Sequence, residues 1–436
     1  MAERRSKRHL ADRSCNENLI WSSSKNSQRN YGSRIKRLQY NAWNPFLQEH
    51  ILETKKLSMN LAILGICDFE EWNTSASLSI GGASGVIKSI LPYIQADKIY
   101  LIGTTSKKKS LKKKVNLNEK IIIYPIVYLP KNSKVPERIR TFWCSRNINK
   151  VFKMYNIHSI YSHSEEMLFW TNPIYNILYH MHGANNALAK AKNKFFRNKI
   201  FQLLWSNVRK RNIKNANKII AIDHLCFDIV KKYQKEDNAI LLPNFVDTSI
   251  FFYDNTRSEL LKDISEKIIL FVGRLEEVKG LELFVDIVNS LEKKEKGKWK
   301  GVLVGRGSYK KNIEGYIDSK SIENLFLFPG AVVDQQELRK IYSQSSVLII
   351  SSFFEGIPMV VLEALACGTP VVATDVGGIK ELISDEKQCY IINKRDPSLF
   401  AEKILQLEDR SEVLKDEFKF SVIKASVTIN QLLNNI

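Results

Sequence analysis

The chain has 436 residues, 66 lysines and arginines against 46 acids for a formal net charge of +20, and 44% hydrophobic residues. That length bounds it at two or three domains with ordinary buried cores, and no run reaches the roughly 18 apolar residues of a membrane span. Six scattered cysteines (15, 67, 144, 226, 367, 389), without C-x-x-C or Cys/His spacing, point to reduced thiols in a cytoplasmic protein, not a disulfide framework or zinc site.

Residues 1–58 are rich in Arg, Ser and Asn, without period. Such a segment cannot bury enough apolar surface to order itself, so a disordered basic tail is expected. It begins polar and charged, with no apolar signal core. Met59-Asn-Leu-Ala-Ile-Leu-Gly-Ile then reads as the first strand of an α/β domain. Either the tail is unstructured or the start codon is placed too early and Met59 is the true beginning. A basic arm for nucleic acid or membrane is the weaker reading.

From 59 onward, strand-like runs alternate with helical patterns, the layout of a doubly wound parallel sheet. The first half predicts strands at Leu61–Ile66, Lys98–Ile102, Ile121–Val127, Ser159–Ser162, Ile177–Met181 and Lys218–Ile222. After the first, Ser79-Ile-Gly-Gly-Ala-Ser-Gly85 leads into a predicted helix, Val86–Ile94. Gly81 and Gly82 would let backbone approach a ligand closely. Their spacing is not that of a dinucleotide fingerprint, and no acid is placed for a ribose.

Two basic stretches follow in this half. Lys107–Lys114 holds six lysines in eight residues and reads as an exposed loop. Residues 190–218 form a long helical pattern with Lys190, Lys192, Lys194, Arg197, Lys199, Arg209, Lys210 and Arg211, and an apolar set of Phe196, Ile200, Leu203, Leu204 and Val208. The plain reading is a core helix with a solvated outer face. The functional one is docking on anionic lipid, where each basic residue adds roughly 1 kcal/mol. Nucleic acid is not expected as a partner, because the charge is spread and no binding motif is present. Between these stretches, His180 and His182 alternate at a strand end in Tyr-His-Met-His-Gly and share one face. A metal pair fits that placement, but the sequence offers no evident third ligand.

Leu242-Pro-Asn-Phe-Val-Asp-Thr-Ser-Ile-Phe251 marks a domain boundary near 245–260. The second domain is predicted to run through strand Lys267–Val272, the turn Gly273-Arg-Leu-Glu-Glu-Val-Lys-Gly280, helix Leu281–Glu292, strand Gly301–Val304, helix Lys310–Asp318, strand Leu325–Phe328 and helix Gln335–Tyr342. Lys279 has the wrong sign for a helix N-terminus unless an anion binds there. Arg274 offers a planar fork for phosphate oxygens, or pairs with Glu276 and Glu277.

Ser351 to Glu381 organises the rest: strand end Val347–Ile350, a polar loop, a helix from Pro358, a Gly368 stop and strand Val371–Ala373. Glu363 stands in a helix otherwise apolar all round, the pattern of a buried helix, where a carboxylate is costly unless hydrogen-bonded. Glu355 sits in the entering loop, so two acids flank a helix N-terminus suited to an anion. After it come strand Cys389–Ile392, helix Pro397–Leu407 and a helical tail, Ser411–Ile436.

The run E-G-x-P-x-x-x-L-E-A-x-A-x-G-x-P-V-V-A-T, with Glu355 and Glu363 spaced E-x7-E, resembles the signature of the family 4 (group 1) retaining glycosyltransferases. The Pro-Asn-Phe-Val-Asp segment resembles that family's interdomain link, with Phe245 in place of the usual Gly, and G-R-L…K-G matches its phosphate turn. The resemblance implies an α/β chain of two Rossmann-like domains facing a cleft, the GT-B architecture. Residues 59–250 would be the acceptor domain and 251–410 the nucleotide-sugar domain, with 411–436 crossing back to the first. It implies a retaining hexosyltransferase that needs no cofactor beyond the nucleotide-sugar co-substrate.

By the same resemblance, Glu355 contacts the donor sugar, Glu363 the ribose hydroxyls, and Gly356, Ile357, Pro358 and Met359 frame the diphosphate with backbone amides. Arg274 and Lys279 bind that diphosphate, Val332 edges the nucleobase, His182 lies by the reacting sugar, and Gly81 and Gly82 line the cleft. No D-x-D occurs in the chain, so no metal is expected on the phosphates. The acceptor implied is a glycan or lipid-linked molecule, as in bacterial surface polysaccharide or lipopolysaccharide assembly, and the place implied is the inner face of the membrane. A phosphorylase, a nucleotide-sugar epimerase and a non-catalytic basic binding protein are the alternatives.

Overall fold

The computed structural model describes residues 59–73, 82–130, 133, 135–184, 198–383, 389–407, 418 and 420–436, all within the compact unit Thr54–Ile436. The basic tail 1–58, Gly81, and Lys190, Lys192, Lys194, Phe196 and Arg197 lie outside the described residues.

The first sheet comprises β1 (Asn60–Asp68), β2 (Lys98–Thr105), β3 (Val115–Asn116), β4 (Ile121–Tyr128), β5 (Ser159–Ser162), β6 (Asn176–Met181), β7 (Lys218–Ala221) and β8 (Ala239–Leu241). Their order is β3-β4-β2-β1-β5-β6-β7-β8, parallel except for the short antiparallel β3. The second comprises β9 (Lys267–Val272), β10 (Trp299–Val304), β11 (Phe326–Gly330), β12 (Val347–Ile350), β13 (Val371–Thr374) and β14 (Cys389–Ile392), in the order β11-β10-β9-β12-β13-β14. Continuous apolar runs such as Ile121–Ile126 and Val347–Ile350 form these strands because helices cover both faces of a parallel sheet.

Chain order reverses between β1 and β5 in one sheet and between β9 and β12 in the other. Loops leaving the C-terminal ends of strands diverge at such a point and open a crevice. The turn after β9 carries Arg274 and Lys279, the loop after β12 carries Glu355, and His163 directly follows β5. Topology alone therefore gathers the charged loops at two crevices.

Helix Val422–Asn434 packs Val422, Ala425, Ile429 and Leu433 into the first domain's core with Val86, Ile87 and Ile90. Asn430 fastens it, accepting from the Gln95 amide at 3.0 Å and donating to the Tyr93 carbonyl at 2.9 Å. Phe245, where the link departs from the usual Gly, is buried in the same cluster. The adjacent Val246 pairs with this returning segment, accepting at its carbonyl from the Val422 amide at 2.8 Å.

Three predicted helices differ in detail. The one predicted to Ile94 is α-helical over Ala83–Ile90 and tightens to a 3₁₀ turn at Leu91–Tyr93, because Pro92 has no N–H to continue the ladder. The pattern over 190–218 is helical at Lys199–Asn215, with Asn198 accepting from the Ile200 amide at 3.0 Å. The plain reading of its apolar set as a core face fails for three members: Ile200, Leu203 and Leu204 are 64%, 66% and 55% exposed. The stripe turned inward is Trp205, Val208, Asn212 and Ile213. The six lysines of 107–114 are exposed, as expected.

The third is the signature helix, Met359–Ala366, with Pro358 at the cap position. Its apolar circumference reads as full burial, yet only Val361, Leu362 and Ala364 are buried, while Met359, Val360, Glu363, Leu365 and Ala366 are partly open. One side of an apolar helix is thus only partly covered, and Glu363 lies on it.

Candidate functional site

Gly280 takes a left-handed conformation (φ 59°) between the 3₁₀ turn Glu277–Lys279 and helix Leu281–Lys294. A Cβ there would lie 2.3 Å from the Ser351 carbonyl oxygen, so only glycine lets the β9 turn sit against the β12 loop. The two are then laced together: Phe353 N–H donates to the Val278 carbonyl at 2.9 Å and Ser351 Oγ to the Lys279 carbonyl at 2.9 Å. Lys279 Nζ consequently reaches Glu355 Oε1 at 2.6 Å, with side chains only 20% and 11% exposed. Ser352 Oγ donates to the same carboxylate oxygen at 2.5 Å.

Gly377, after β13, buttresses the Glu355 loop from the other side. Its φ is 60°, and a Cβ would fall 2.4 Å from the Glu355 carbonyl oxygen. The Gly378 amide donates to the Gly356 carbonyl at 2.9 Å, and Asn244 Nδ2 of the interdomain link donates to that of Ile357 at 3.0 Å. Ile357 and Pro358 are buried while Gly356 and Met359 are partly open. Helix N-termini leave their first N–H groups without intrahelical acceptors; Val361 N–H turns to the Pro358 carbonyl at 3.2 Å, and the N–H groups before it mark the helix end as an anion seat.

Glu363 Oε2 accepts from Tyr342 OH at 2.8 Å. Burial pushes its carboxyl up to about 7, and the tyrosine hydrogen bond offsets only part of that rise. Arg274 is exposed, and its Nη1 meets Glu276 Oε1 at 2.7 Å, which is the pairing left open by the sequence. An exposed pair of this kind contributes about 0–1 kcal/mol, so an arriving phosphate could take the guanidinium at little cost. Val332 is partly buried after β11, one turn before the Asp334-capped helix Gln335–Gln344.

On the first domain, His182 follows β6, and its carbonyl oxygen is 4.0 Å from where a Cβ on Gly356 would stand. Its ring stacks on His180 with centroids 4.4 Å apart, as the alternation implies. Its Nε2 lies 2.7 Å from His163 Nδ1. Burial, with Arg138 second, lowers its imidazole to about 3. Gly82, with φ 62°, opens helix Ala83–Ile90.

Sequence reasoning missed Tyr342, Ser352, Arg395 and His163. Arg395 Nη1 donates to the Ser351 carbonyl at 2.8 Å and stacks on Phe353 at 3.8 Å, holding the β12 loop from behind. Only its position after β14, beside β13, could have signalled this. His163 is invisible until β5 and β6 are known to be neighbours.

With this geometry in place, the match to a family model is decisive: residues 252–418 fit the glycosyl transferases group 1. The second domain belongs to that family.

Two curated relatives each match somewhat under half of this chain. The uncharacterized glycosyltransferase MJ1178 of Methanocaldococcus jannaschii is 29% identical over 202 residues, 46% of this chain and 52% of that protein. The poly(ribitol-phosphate) alpha-N-acetylglucosaminyltransferase of Staphylococcus aureus is 29% identical over 211 residues, 47% of this chain and 40% of that protein. The chain thus spans about half the length of these relatives. Among solved structures, sucrose-phosphate synthase of Thermosynechococcus elongatus superposes with a TM-score of 0.65 at 18% identity, covering 86% of this chain and 98% of that one. That likeness establishes the fold: two parallel-sheet α/β domains of the GT-B type.

Proposed function

We propose that this protein transfers a hexosyl unit from a nucleotide sugar to a glycan or lipid-linked acceptor, with retention of configuration. The Lys279–Glu355 pair at the second sheet's crossover carries the reading: a cation for a diphosphate and an acid for sugar hydroxyls meet beside an open helix N-terminus. The anomeric carbon loses its bond to the β-phosphate oxygen and gains one to the acceptor oxygen on the same face. The leaving phosphate takes the acceptor's proton, so no carboxylate nucleophile is needed. Lys279, Arg274 and the backbone N–H groups of Gly356, Ile357 and Met359 stabilise the developing phosphate charge, and no metal is required on it. Glu355 orients sugar hydroxyls, Glu363 accepts from the ribose, Val332 edges the base, and His182 with the Gly81–Gly82 loop faces the sugar from the first domain.

A bound donor must stabilise the folded state, by about 2.7 kcal/mol at a hundred times its dissociation constant. Screening UDP-, GDP- and ADP-sugars by thermal unfolding is therefore expected to single out one nucleotide that raises the unfolding temperature. Protection by none of them would remove the donor site.

The acceptor side is proposed to work at an anionic lipid surface. Ile200, Leu203 and Leu204 form an exposed apolar patch on a helix that also carries exposed Lys199, Lys210, Arg211 and Lys214, and Lys107–Lys114 adds a second basic stretch. No helix among the described residues is long and apolar enough to cross a membrane. Co-sedimentation with vesicles containing anionic lipid is expected to be strong at low salt, weak with neutral vesicles, and lost when the three apolar residues become serine. Equal binding to both vesicle types would rule the charge argument out.

A further inference from the structure

His163, His180 and His182 converge although they come from different strands. β5 and β6 are adjacent, with Ser162 opposite Tyr179, so the residue after β5 and the alternating pair on β6 end on one side of the sheet. One ring nitrogen of each lies within 4.8 Å of the others, the sole such grouping of metal-binding side chains among the described residues. His163 is buried and His180 fully so, while His182 is partly open toward the crevice.

The hydrogen bonding of these rings is incomplete. His180 Nδ1 is engaged by Tyr161 OH at 2.8 Å, yet its buried Nε2 has no protein partner, and neither has His163 Nε2. A buried polar atom left unpaired is costly, and His180 Nε2, in a cluster with the other two rings, calls for an occupant. Protons are a poor one: burial holds His163 and His180 well below the usual imidazole range and His182 near 3, so all three remain neutral. A neutral imidazole has one N–H and one lone pair; His163 Nδ1 and His182 Nε2 already share a proton at 2.7 Å, and an ion that displaces it takes a lone pair from each ring. Neutral imidazole is the ligand that zinc, copper and nickel prefer. A tetrahedral zinc site has Zn–N bonds of about 2.1 Å and so nitrogens about 3.4 Å apart; here one nitrogen of each ring lies within 4.8 Å of the others. Tyr161 already holds His180 by its far nitrogen, as partners behind metal ligands do. The cation that acts on His182, Arg138, is met by Glu166 at 2.8 Å.

We propose that His163, His180 and His182 form a three-histidine site for a zinc-class divalent ion on the first domain's side of the crevice. The ligating atoms are His163 Nδ1, His182 Nε2 and His180 Nε2; the ion replaces the proton shared by the first two, which is released to solvent, and a fourth position stays open. It is separate from any diphosphate contact in the second domain. Because His182 is a ligand, occupancy fixes its ring and withdraws it from other partners.

The test is a Co²⁺ titration of the full chain, freed of any polyhistidine tag, with zinc competition. A single ion per chain with the intense visible bands of tetrahedral cobalt, displaced by zinc, is expected. The Tyr161→Phe variant, which keeps all three ligands, should bind about ten- to a hundredfold more weakly, and His182→Gln should lose the bands while keeping its circular dichroism and unfolding temperature. Absence of saturable binding, binding indifferent to both substitutions, or thiolate charge-transfer bands from a cysteine would each overturn the site. The readout is binding, so it stands or falls independently of sugar transfer.

Discussion

Sugar transfer by a Lys279→Met variant is expected to fall by about 10²–10³-fold with the fold intact. That is the usual loss when one preorganised donor to developing charge is removed. Lys279 Nζ sits 2.6 Å from Glu355, so the substitution also strips the carboxylate of its counter-charge. Both side chains are mostly shielded, and an acid left without its partner there is expected to lower stability by about 1–3 kcal/mol. The double variant Lys279→Met/Glu355→Gln separates the two effects: removing both charges restores stability, because no acid is left unpaired, but does not restore turnover. Steady-state kinetics beside urea unfolding check this. Near-normal transfer by either single variant would overturn the roles given to Lys279 and Glu355, and recovery of activity in the double variant would reduce Lys279 to a structural counter-ion.

Much of this arrangement was legible before any coordinates, for a physical reason. Parallel strands covered on both faces must be apolar throughout, so Val347–Ile350, Lys267–Val272 and Cys389–Ile392 could be placed to the residue. The charged loops follow from strand order, since residues just past strand ends must line the crevice. What stayed hidden depends on neighbours distant in sequence. Ile200, Leu203 and Leu204 have helical spacing, but spacing does not tell which stripe finds a core; Trp205 and Val208 did. Glu363 reads as a buried acid because its helix is apolar all round, and burial does act on it, but the Tyr342 hydroxyl that satisfies it carries no local signal. His163, Tyr342 and Arg395 carry no local motif. Each is defined by a partner 19, 21 or 44 residues away, and only the sheet order brings those partners together.

Stability is expected to fall as pH rises from about 4.5 to about 7, through Glu363. Its carboxyl is held near 7 in the folded protein by burial, against the ordinary carboxylate range in the unfolded chain. In that window the native state keeps a proton that the unfolded state has released, and linkage then makes unfolding easier with each increase in pH. The full difference would be about 3 kcal/mol, and solvent reaching the partly open side chain reduces it to about 2 kcal/mol. A Glu363→Gln variant keeps the Tyr342 hydrogen bond and loses the titration, so it should match wild type at pH 4.5 and exceed it by that amount at pH 8, measured by urea unfolding. The same proton couples to the ligand. On the proposed role of Glu363, ribose hydroxyls donate to it and favour the charged acid, so donor binding is expected to expel the proton below pH 7. Nucleotide-sugar affinity should therefore climb by up to tenfold per pH unit below that point and level off above it, while the glutamine variant binds weakly and without pH dependence. A wild-type affinity flat from pH 5.5 to 8 would separate Glu363 from the donor altogether.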